Sequence, residues 1–395
     1  MFKYRLYPSK TQRRTLEEQL ELCCRTNNLL LLHCRSTYKN VGRIPTQYDL
    51  NNFLIKLKQE NPELQNVHSQ VLQNISKRIR DAHYGFFTRR RMGLKAGLPR
   101  LKKRQRYKSL TYPQSGFEIK GDGLNLSKIG RVKVRLHRPI EGSIKTLTVK
   151  RMPSGKWFAI FSCVVEAESR EKPVEDVGID VGLKHFAVLS DGVHTQNPQH
   201  YRREERRLGR LQRSLSRKER GSSNQEKARV RVAQLHEKIQ NRRNDFLHKA
   251  SRMIADKYRT VYVEDLKIEN MVKNHHLAKS ISDAGWGQFV RMLAYKEEDS
   301  GGRVVYVDPR GTTQSCSRCG EKVEKSLSDR IHACPYCGLV LDRDLNAALN
   351  ILARGREIRR GPPESRPEEI QTPTSPIRVK QVGSMNQEAS LHGGR

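Results

Sequence analysis

The sequence predicts an α+β multidomain protein: a small β-barrel interrupted by helices, then an α/β unit carrying a cysteine knuckle. Three observations predict it. The hydrophobic period is helical up to Phe87 and changes to two between Leu110 and Val165. An apolar strand, Val177 to Val181, holds an aspartate near its centre. Four later cysteines, Cys316, Cys319, Cys334 and Cys337, form two C-x-x-C pairs with fourteen residues between them.

Residues 1 to 8 alternate Phe2, Tyr4 and Leu6 and end at Pro8, which predicts a short strand. Leu16, Leu20, Cys23, Cys24, Asn27, Leu30 and Leu31 follow a helical period. A second helix is expected after Thr46, a cap candidate, with Leu50, Phe53, Leu54 and Leu57 on one face. A third runs from Ser69 to Phe87 on the stripe Val71, Leu72, Ile75, Ile79, Ala82 and Phe86. Residues 88 to 108 read as a basic loop: Arg89, Arg90, Arg91, Lys95, Arg100, Lys102, Lys103, Arg104, Arg106 and Lys108 crowd around Gly93, Gly97 and Pro99. Strands at Leu124 to Leu126, Val132 to Val134, Leu147 to Val149 and Trp157 to Val165 follow, punctuated by Gly121, Gly123, Gly130, Gly142 and Gly155. They suggest a small barrel that the N-terminal strand joins, with the helices inserted after it.

A linker with Glu171, Pro173 and Glu175 opens the second unit. Val177 to Val181 and Phe186 to Ser190 read as antiparallel neighbours, with Asp191-Gly192 as a turn. Arg202 to Lys257 is a basic helical hairpin broken at Gly221-Ser222-Ser223. Val261 to Val263 is a strand, Ile281 to Glu297 a helix and Val304 to Val307 a strand. Leu345 to Leu352 is a short helix capped by Gly355. Residues 361 to 395 carry five prolines and no apolar pattern, and are expected to be disordered.

Charge narrows the function. The 395 residues carry 76 Lys and Arg against 42 Asp and Glu, a formal +34. Such self-repulsion costs stability, and a polyanion partner offsets it; an enzyme of neutral metabolites has no use for it. The excess in the helical hairpin is too lopsided for salt-bridge lacing, so phosphate binding is expected there. No apolar run approaches the roughly 18 residues of a membrane span. Met1 to Tyr7 is short, basic and strand-like rather than a signal peptide. The expected place is the cytoplasm or nucleoid.

The cysteine quartet points to structural Zn²⁺. Thiolates are soft ligands, and each C-x-x-C directs two sulfurs to one point. Gly320 and Gly338 follow the second cysteine of each pair, where backbone must turn around sulfur. Arg318, Lys322 and Lys325 would help hold the thiolate charge. Cys23, Cys24, Cys34 and Cys163 sit in apolar contexts and read as core. His275-His276 lies in a polar loop without a spaced partner, and no metal role is expected of it.

Three carboxylates on separate elements suit a two-metal phosphodiesterase centre using Mg²⁺ or Mn²⁺. Asp180 shares a strand face with Gly178 and Gly182, which would leave room for an ion. Glu264 ends a strand and is followed by Asp265. The third acid is Asp342 or Asp344, and helix geometry favours Asp344. At 100° per residue it falls beside Ala348 and Ile351, on the edge of the buried stripe. Asp342 precedes the first turn and can serve as its N-cap.

The residues then carry a family resemblance. The stretches are Tyr4-Arg5-Leu6-Tyr7-Pro8, Gly97-Leu98-Pro99-Arg100, Gly178-Ile179-Asp180-Val181-Gly182 and Glu264-Asp265-Leu266. Ile281 to Gly287, Ser315 to Gly320, Cys334 to Gly338 and Asp342 to Ile351 complete the set. In this order they resemble TnpB, the RNA-guided DNA endonuclease family of insertion sequences, itself similar to compact type V CRISPR effectors. The resemblance implies an RNase H-like (RuvC) α/β nuclease at 173–312 and 341–360 with a zinc-ribbon insert at 313–340. It implies a small β-barrel wedge domain at 1–10 and 111–172 and a helical recognition insert at 11–110. It implies Asp180, Glu264 and Asp344 as the acids, a guide RNA from the element's own end, and double-stranded target DNA read beside a short adjacent motif. A monomer in the RNA complex is expected. Nucleic-acid contacts are expected from Gln73, Arg89, Arg90, Arg91, Arg100, Lys102, Lys103 and Arg104.

Two other classes compete. A guided binder without cleavage is disfavoured because all three acids are present. A strand-transfer transposase also fits a carboxylate triad, and the zinc insert argues against it.

Overall fold

The computed structural model describes residues 1–165, 175–326 and 329–360. The tail from 361 and most of the linker lie outside the described residues. The chain divides into two units, Met1–Glu166 with Leu211–Glu237, and Ala167–Arg210 with Lys238–Arg395.

In the first unit β1 (Phe2–Tyr7) is followed by α1 (Lys10–Val41), α2 (Gln47–Glu60) and α3 (Ser69–Arg91). Capping boxes start two of the helices: Ser9 with Gln12, and Thr46 with Asp49. Then come β2 (Ser109–Tyr112), β3 (Phe117–Lys120), β4 (Gly123–Leu126), β5 (Gly130–Arg135), β6 (Ser143–Arg151) and β7 (Trp157–Val164). They form one antiparallel sheet in the order β2-β6-β7-β1-β5-β4-β3. Its edges, β2 and β3, are joined by residues 113–116 alone, and the rings of Tyr112 and Phe117 lie 6.4 Å apart. The sheet must therefore curl almost shut. Tyr4, Leu6, Leu124, Val132, Leu147 and Phe161 fill it, and one hydrophobic core continues from them through Leu16, Leu30, Leu50 and Leu72 of the helices.

Two expectations change here. Helix α3 continues to Arg91, so Arg89, Arg90 and Arg91 ride a helix rather than a loop. The stretch after it is pinned along α1. Asn28 Nδ2 donates to the Lys102 carbonyl at 3.0 Å, the Lys102 N–H donates to Asn28 Oδ1 at 2.9 Å, and Arg35 donates to the Pro99 carbonyl at 2.7 Å.

The second unit begins with β8 (Asp176–Val181), β9 (His185–Leu189) and β10 (His194–Gln196). Helices α4 (His200–Ser216) and α5 (Ser223–Lys257) form the expected hairpin, of which Leu211–Glu237 counts with the first unit. The few acids near it are laced after all: Glu204 meets Arg207, Lys238 and Arg242, and Glu205 meets Arg202 and Lys279. Next come β11 (Thr260–Glu264), the single turn α6 (Ile268–Met271), α7 (Ala278–Ala284) and α8 (Trp286–Asp299). The single helix expected over Ile281 to Glu297 is thus two helices. Gly285 breaks it at φ 74°, a conformation that costs glycine no Cβ clash. Strand β12 (Arg303–Val307), the hairpin β13 (Ile331–Ala333) with β14 (Val340–Asp342), and α9 (Arg343–Arg360) complete the chain.

The sheet order is β10-β9-β8-β11-β12. Strands β8, β11 and β12 are parallel, and β9 runs against β8. Val177, Ile179, Val261 and Val263 pack on one face with Leu247, Ile254, Phe289 and Leu293 of α5 and α8. The other face takes α9, where Ile351 packs with Tyr262 and Val307. Among the described residues no helix is long and apolar enough to cross a membrane.

Candidate functional site

The register of the parallel strands aligns the first two acids. Gly178 lies opposite Tyr262 and Ile179 opposite Val263. The residues that follow, Asp180 and Glu264, therefore lie side by side near the ends of neighbouring strands and on one face, because side chains alternate along a strand. This is the face that α9 covers. A Cβ on Gly178 would stand 2.3 Å from the Ala348 carbonyl oxygen and 2.6 Å from the Leu352 nitrogen. The glycine thus admits helix backbone, and the ion space expected beside Asp180 from Gly178 is occupied by α9. Gly182 opens no such room either, since a Cβ there would meet the His185 carbonyl at 2.9 Å.

The same contact carries the third acid to the site. Asp344 precedes Ala348 by one helical turn, about 6 Å along the axis. Asp180 lies two strand residues beyond Gly178, a rise of about 6.6 Å. The first turn of α9 therefore delivers Asp344 to Asp180. The electrostatics agree. Burial first, then the charges of Glu264 and Asp344, push the Asp180 carboxyl up to about 8, against the opposing pull of Arg343. Burial also raises Glu264, partly countered by Thr312 and Arg354. The Thr312 hydroxyl donates to Glu264 Oε1 at 2.6 Å. Arg343 Nε stands 3.4 Å from Asp344 Oδ1.

Asp342 does a different job. Its Oδ1 accepts the backbone N–H of Asp344 at 2.8 Å and that of Leu345 at 3.3 Å, which caps the start of α9. The helix does not stop at Leu352. It runs through Gly355, whose missing Cβ admits the Tyr262 ring, so Gly355 is a packing residue and not a cap.

With Asp180 held far above its ordinary value by burial and by the charges of Glu264 and Asp344, the three carboxylates could hold a cation. Hard carboxylate oxygens suit Mg²⁺ or Mn²⁺, and an ion would relieve the repulsion that raises Asp180.

The four cysteines converge as the spacing predicts, with all sulfurs within 4.8 Å of one another. Cys316 to Cys337 and Cys319 to Cys334 are each 3.6 Å. Tetrahedral zinc with Zn–S of about 2.3 Å sets sulfurs about 3.8 Å apart, so the cradle fits that ion. Gly320 and Gly338 stand at φ 80° and 71°, and their N–H groups donate to the carbonyls of Cys316 and Cys334. Lys325 feels the charge of Cys316 and Cys334 as expected, without a hydrogen bond to either. Its ammonium donates to His332 Nδ1 and to the Thr313 carbonyl.

Residues the sequence reading missed join this cradle to α9. Asn346 Nδ2 donates to the Ser315 carbonyl at 2.8 Å, and its Oδ1 accepts the Ser317 N–H at 2.9 Å. Asn350 Nδ2 reaches the carbonyls of Thr312 and Ser315. Two asparagines four apart on a buried helix face were the available signal. The basic candidates belong to the first unit. Gln73 is exposed on α3, Arg89 to Arg91 end that helix, and Arg100 and Lys103 are exposed beyond it. Arg104 pairs with Glu21 at 2.9 Å, and Lys102 Nζ donates to Asn27 Oδ1 at 3.3 Å.

The family profile OrfB_IS605, described as a probable transposase, matches residues 160–275, and the Cas12f1-like TNB domain matches 286–351. A Streptomyces pristinaespiralis protein named as an RNA-guided DNA endonuclease is 36% identical over 365 residues, covering 90% of this chain and 89% of its own. Escherichia coli InsQ, named likewise, is 31% identical over 377 residues, covering 90% and 92%. Among solved structures, a Cas12f1–sgRNA–target DNA complex matches with a TM-score of 0.54 at 16% identity, over 85% of this chain and 81% of that one. At that identity the likeness speaks for the fold, a RuvC-like multidomain one.

Proposed function

The chain belongs to the TnpB family of insertion-sequence proteins, and on that footing we propose that it is an RNA-guided DNA endonuclease that hydrolyses phosphodiesters at Asp180, Glu264 and Asp344. The observation that carries the proposal is the convergence of these carboxylates, with Asp180 pushed up to about 8. Isolated structural acids in ion pairs shift the other way.

The three carboxylates would hold Mg²⁺ or Mn²⁺, which when bound would supply Lewis acidity and an activated water. Asp180 must give up its proton to take part. Glu264 is held in one rotamer by Thr312, which leaves its second oxygen to bind. Arg343 pairs with Asp344 and so can orient it. The cysteine cradle holds structural zinc and, through Asn346 and Asn350, fixes the register of α9 and so the place of Asp344. The guide RNA, from the element's own end, supplies sequence specificity by pairing. The helical insert reads the short motif beside the target, with Gln73, Arg89, Arg90, Arg91, Arg100, Lys102, Lys103 and Arg104 on nucleic-acid backbone or duplex.

The test is to purify the protein with its RNA, sequence that RNA, and offer matched double-stranded DNA with Mg²⁺. Cutting by the wild type and none by Asp180→Ala, with guided binding kept, is the expected result. Full cutting by Asp180→Ala would falsify the assignment, and binding without cutting by the wild type would favour a guided regulator.

A further inference from the structure

Four cysteines close the cradle, and a histidine stands beside it that is not needed as a ligand. His332 is the middle residue of β13, opposite Leu341 of β14. Exposure alternates along this stretch: Ile331 and Ala333 are exposed, while His332 and Cys334 are buried. The imidazole is thus turned to the side of the cysteines and is fully buried.

A buried imidazole needs a partner at each ring nitrogen, because an unmet polar atom is costly there. Nδ1 has one. The Lys325 ammonium donates to it, and also to the Thr313 carbonyl at 3.1 Å. An ammonium donates and cannot accept, so Nδ1 carries the lone pair and the ring proton sits on Nε2. Nε2 is buried, and among the described residues nothing meets it at the close range of an ordinary hydrogen bond. The group it acts on is a sulfur, whose bonds are longer and softer. Burial raises the Cys316 thiol, but hydrogen bonds from the backbone of Cys319 and Arg318, and then from the His332 ring, outweigh it and draw the thiol down to about 5.

We propose that His332 is a positioning residue of the zinc site, its Nε2–H donating to the Cys316 thiolate while Lys325 fixes the tautomer that makes this possible; this rests on the zinc reading of the cradle and is independent of cleavage. Four thiolates outnumber the charges of Zn²⁺, so the loaded cradle is an anion, and a buried anion is costly unless donors meet it. Cys316 is 1% exposed, the least of the four: Cys334 is 4% exposed, Cys337 half-buried and Cys319 exposed. Water serves the outer sulfurs and cannot serve Cys316, so a protein donor matters most there. Lys325 brings its positive charge to the same sulfur at one remove, through the ring. The donor fixes the direction in which Cys316 presents its sulfur to the metal, as outer partners of metal ligands do.

The test uses the full chain with its RNA, prepared once with zinc and once with Co²⁺ in its place. His332→Phe keeps the bulk of the ring and removes the donor; His332→Gln returns an N–H near the place of Nε2. Zinc release to excess EDTA should be about tenfold faster in His332→Phe than in the wild type, and close to wild type in His332→Gln. In the Co²⁺ protein the sulfur-to-cobalt charge-transfer band should move to lower energy in His332→Phe alone, because a sulfur without its donor gives up electron density more readily. Ring ¹⁵N spectra of the zinc-loaded wild type, which need no variant to fold, should show His332 with its proton on Nε2. A proton on Nδ1, an unmoved band in His332→Phe, or a His332→Gln protein that loses zinc as fast as His332→Phe would overturn this role, the last leaving the residue to packing alone. Freshly purified wild type without zinc would overturn the zinc reading itself, and this role with it.

Discussion

The Tyr262 ring occupies the space where Gly355 would carry a side chain: a Cβ there would lie 2.0 Å from Tyr262 Cδ1 and 2.4 Å from Cγ. Helix α9 therefore rests on the sheet through two glycines, Gly355 on the Tyr262 ring of β11 and Gly178 under the Ala348 backbone. Gly355→Ala and Gly178→Ala should each destabilise the second unit by about 1–3 kcal/mol, the usual cost of overpacking. Urea unfolding measures it. A midpoint unchanged in both variants would mean that α9 shifts freely on the sheet.

The proton on Asp180 makes cation binding pH-dependent. Its folded value of about 8 lies above the ordinary 3.8. Between those two the folded chain keeps a proton that the unfolded chain has lost, so this group's contribution to the stability of the metal-free protein falls as pH rises through that window, and is level outside it. Asp180→Asn should accordingly raise the Tm of the metal-free protein more at pH 8 than at pH 5. Mg²⁺ must displace the same proton, so its affinity should rise by up to about tenfold per pH unit from pH 6 to 8 and then flatten. Calorimetric titration showing equal affinity at pH 6 and 8 would contradict this.

Asp342 and Asp344 should separate cleanly. Asp342→Ala removes the acceptor for two backbone N–H groups and should cost roughly 1 kcal/mol of stability while keeping most cleavage. Asp344→Ala should abolish cleavage at near-normal stability. An inactive Asp342→Ala beside an active Asp344→Ala would reverse the assignment.

Loss of one thiolate should loosen α9 as well as the metal. Cys334→Ser is expected to lower zinc below one per chain and, because Asn346 and Asn350 tie the first knuckle to α9, to speed hydrogen exchange in residues 344–352. Slow exchange there in a zinc-depleted variant would show that the asparagines suffice alone.

Much of this site was legible from the residues, and the reason differs by part. The cysteines announce themselves because metal geometry fixes their spacing. Asp180 and Glu264 stand out because a carboxylate is conspicuous in an apolar strand. Asp342 was separable from Asp344 because a cap and a buried face lie at different angles. What the sequence could not settle was what fills a glycine's space. Gly178 suggested an ion and admits a helix; Gly355 suggested a helix end and admits a ring. In both cases tertiary contact decides, and an absent side chain carries no sign of its neighbour. Thr312, Asn346 and Asn350 were passed over for a related reason, since single neutral polar residues are common and only their carbonyl and carboxylate partners give them meaning. Arg89 to Arg91 were read as loop because their charge is conspicuous, although nothing between Phe87 and Arg91 breaks a helix.

Strand β1 sits in the middle of its sheet, between β5 and β7, with Phe2 opposite Phe161 and Leu6 opposite Val134. A ribosome finishes α1, α2 and α3 long before it has made either neighbour. Until then β1 is a strand with one apolar face and both edges open, the kind of segment that pairs wrongly or recruits chaperones. The helices can collapse early on their own local contacts, but the barrel must wait for contacts of very long range. Slowing translation just after β7 should therefore raise the yield of soluble protein more than the same pause placed after α3.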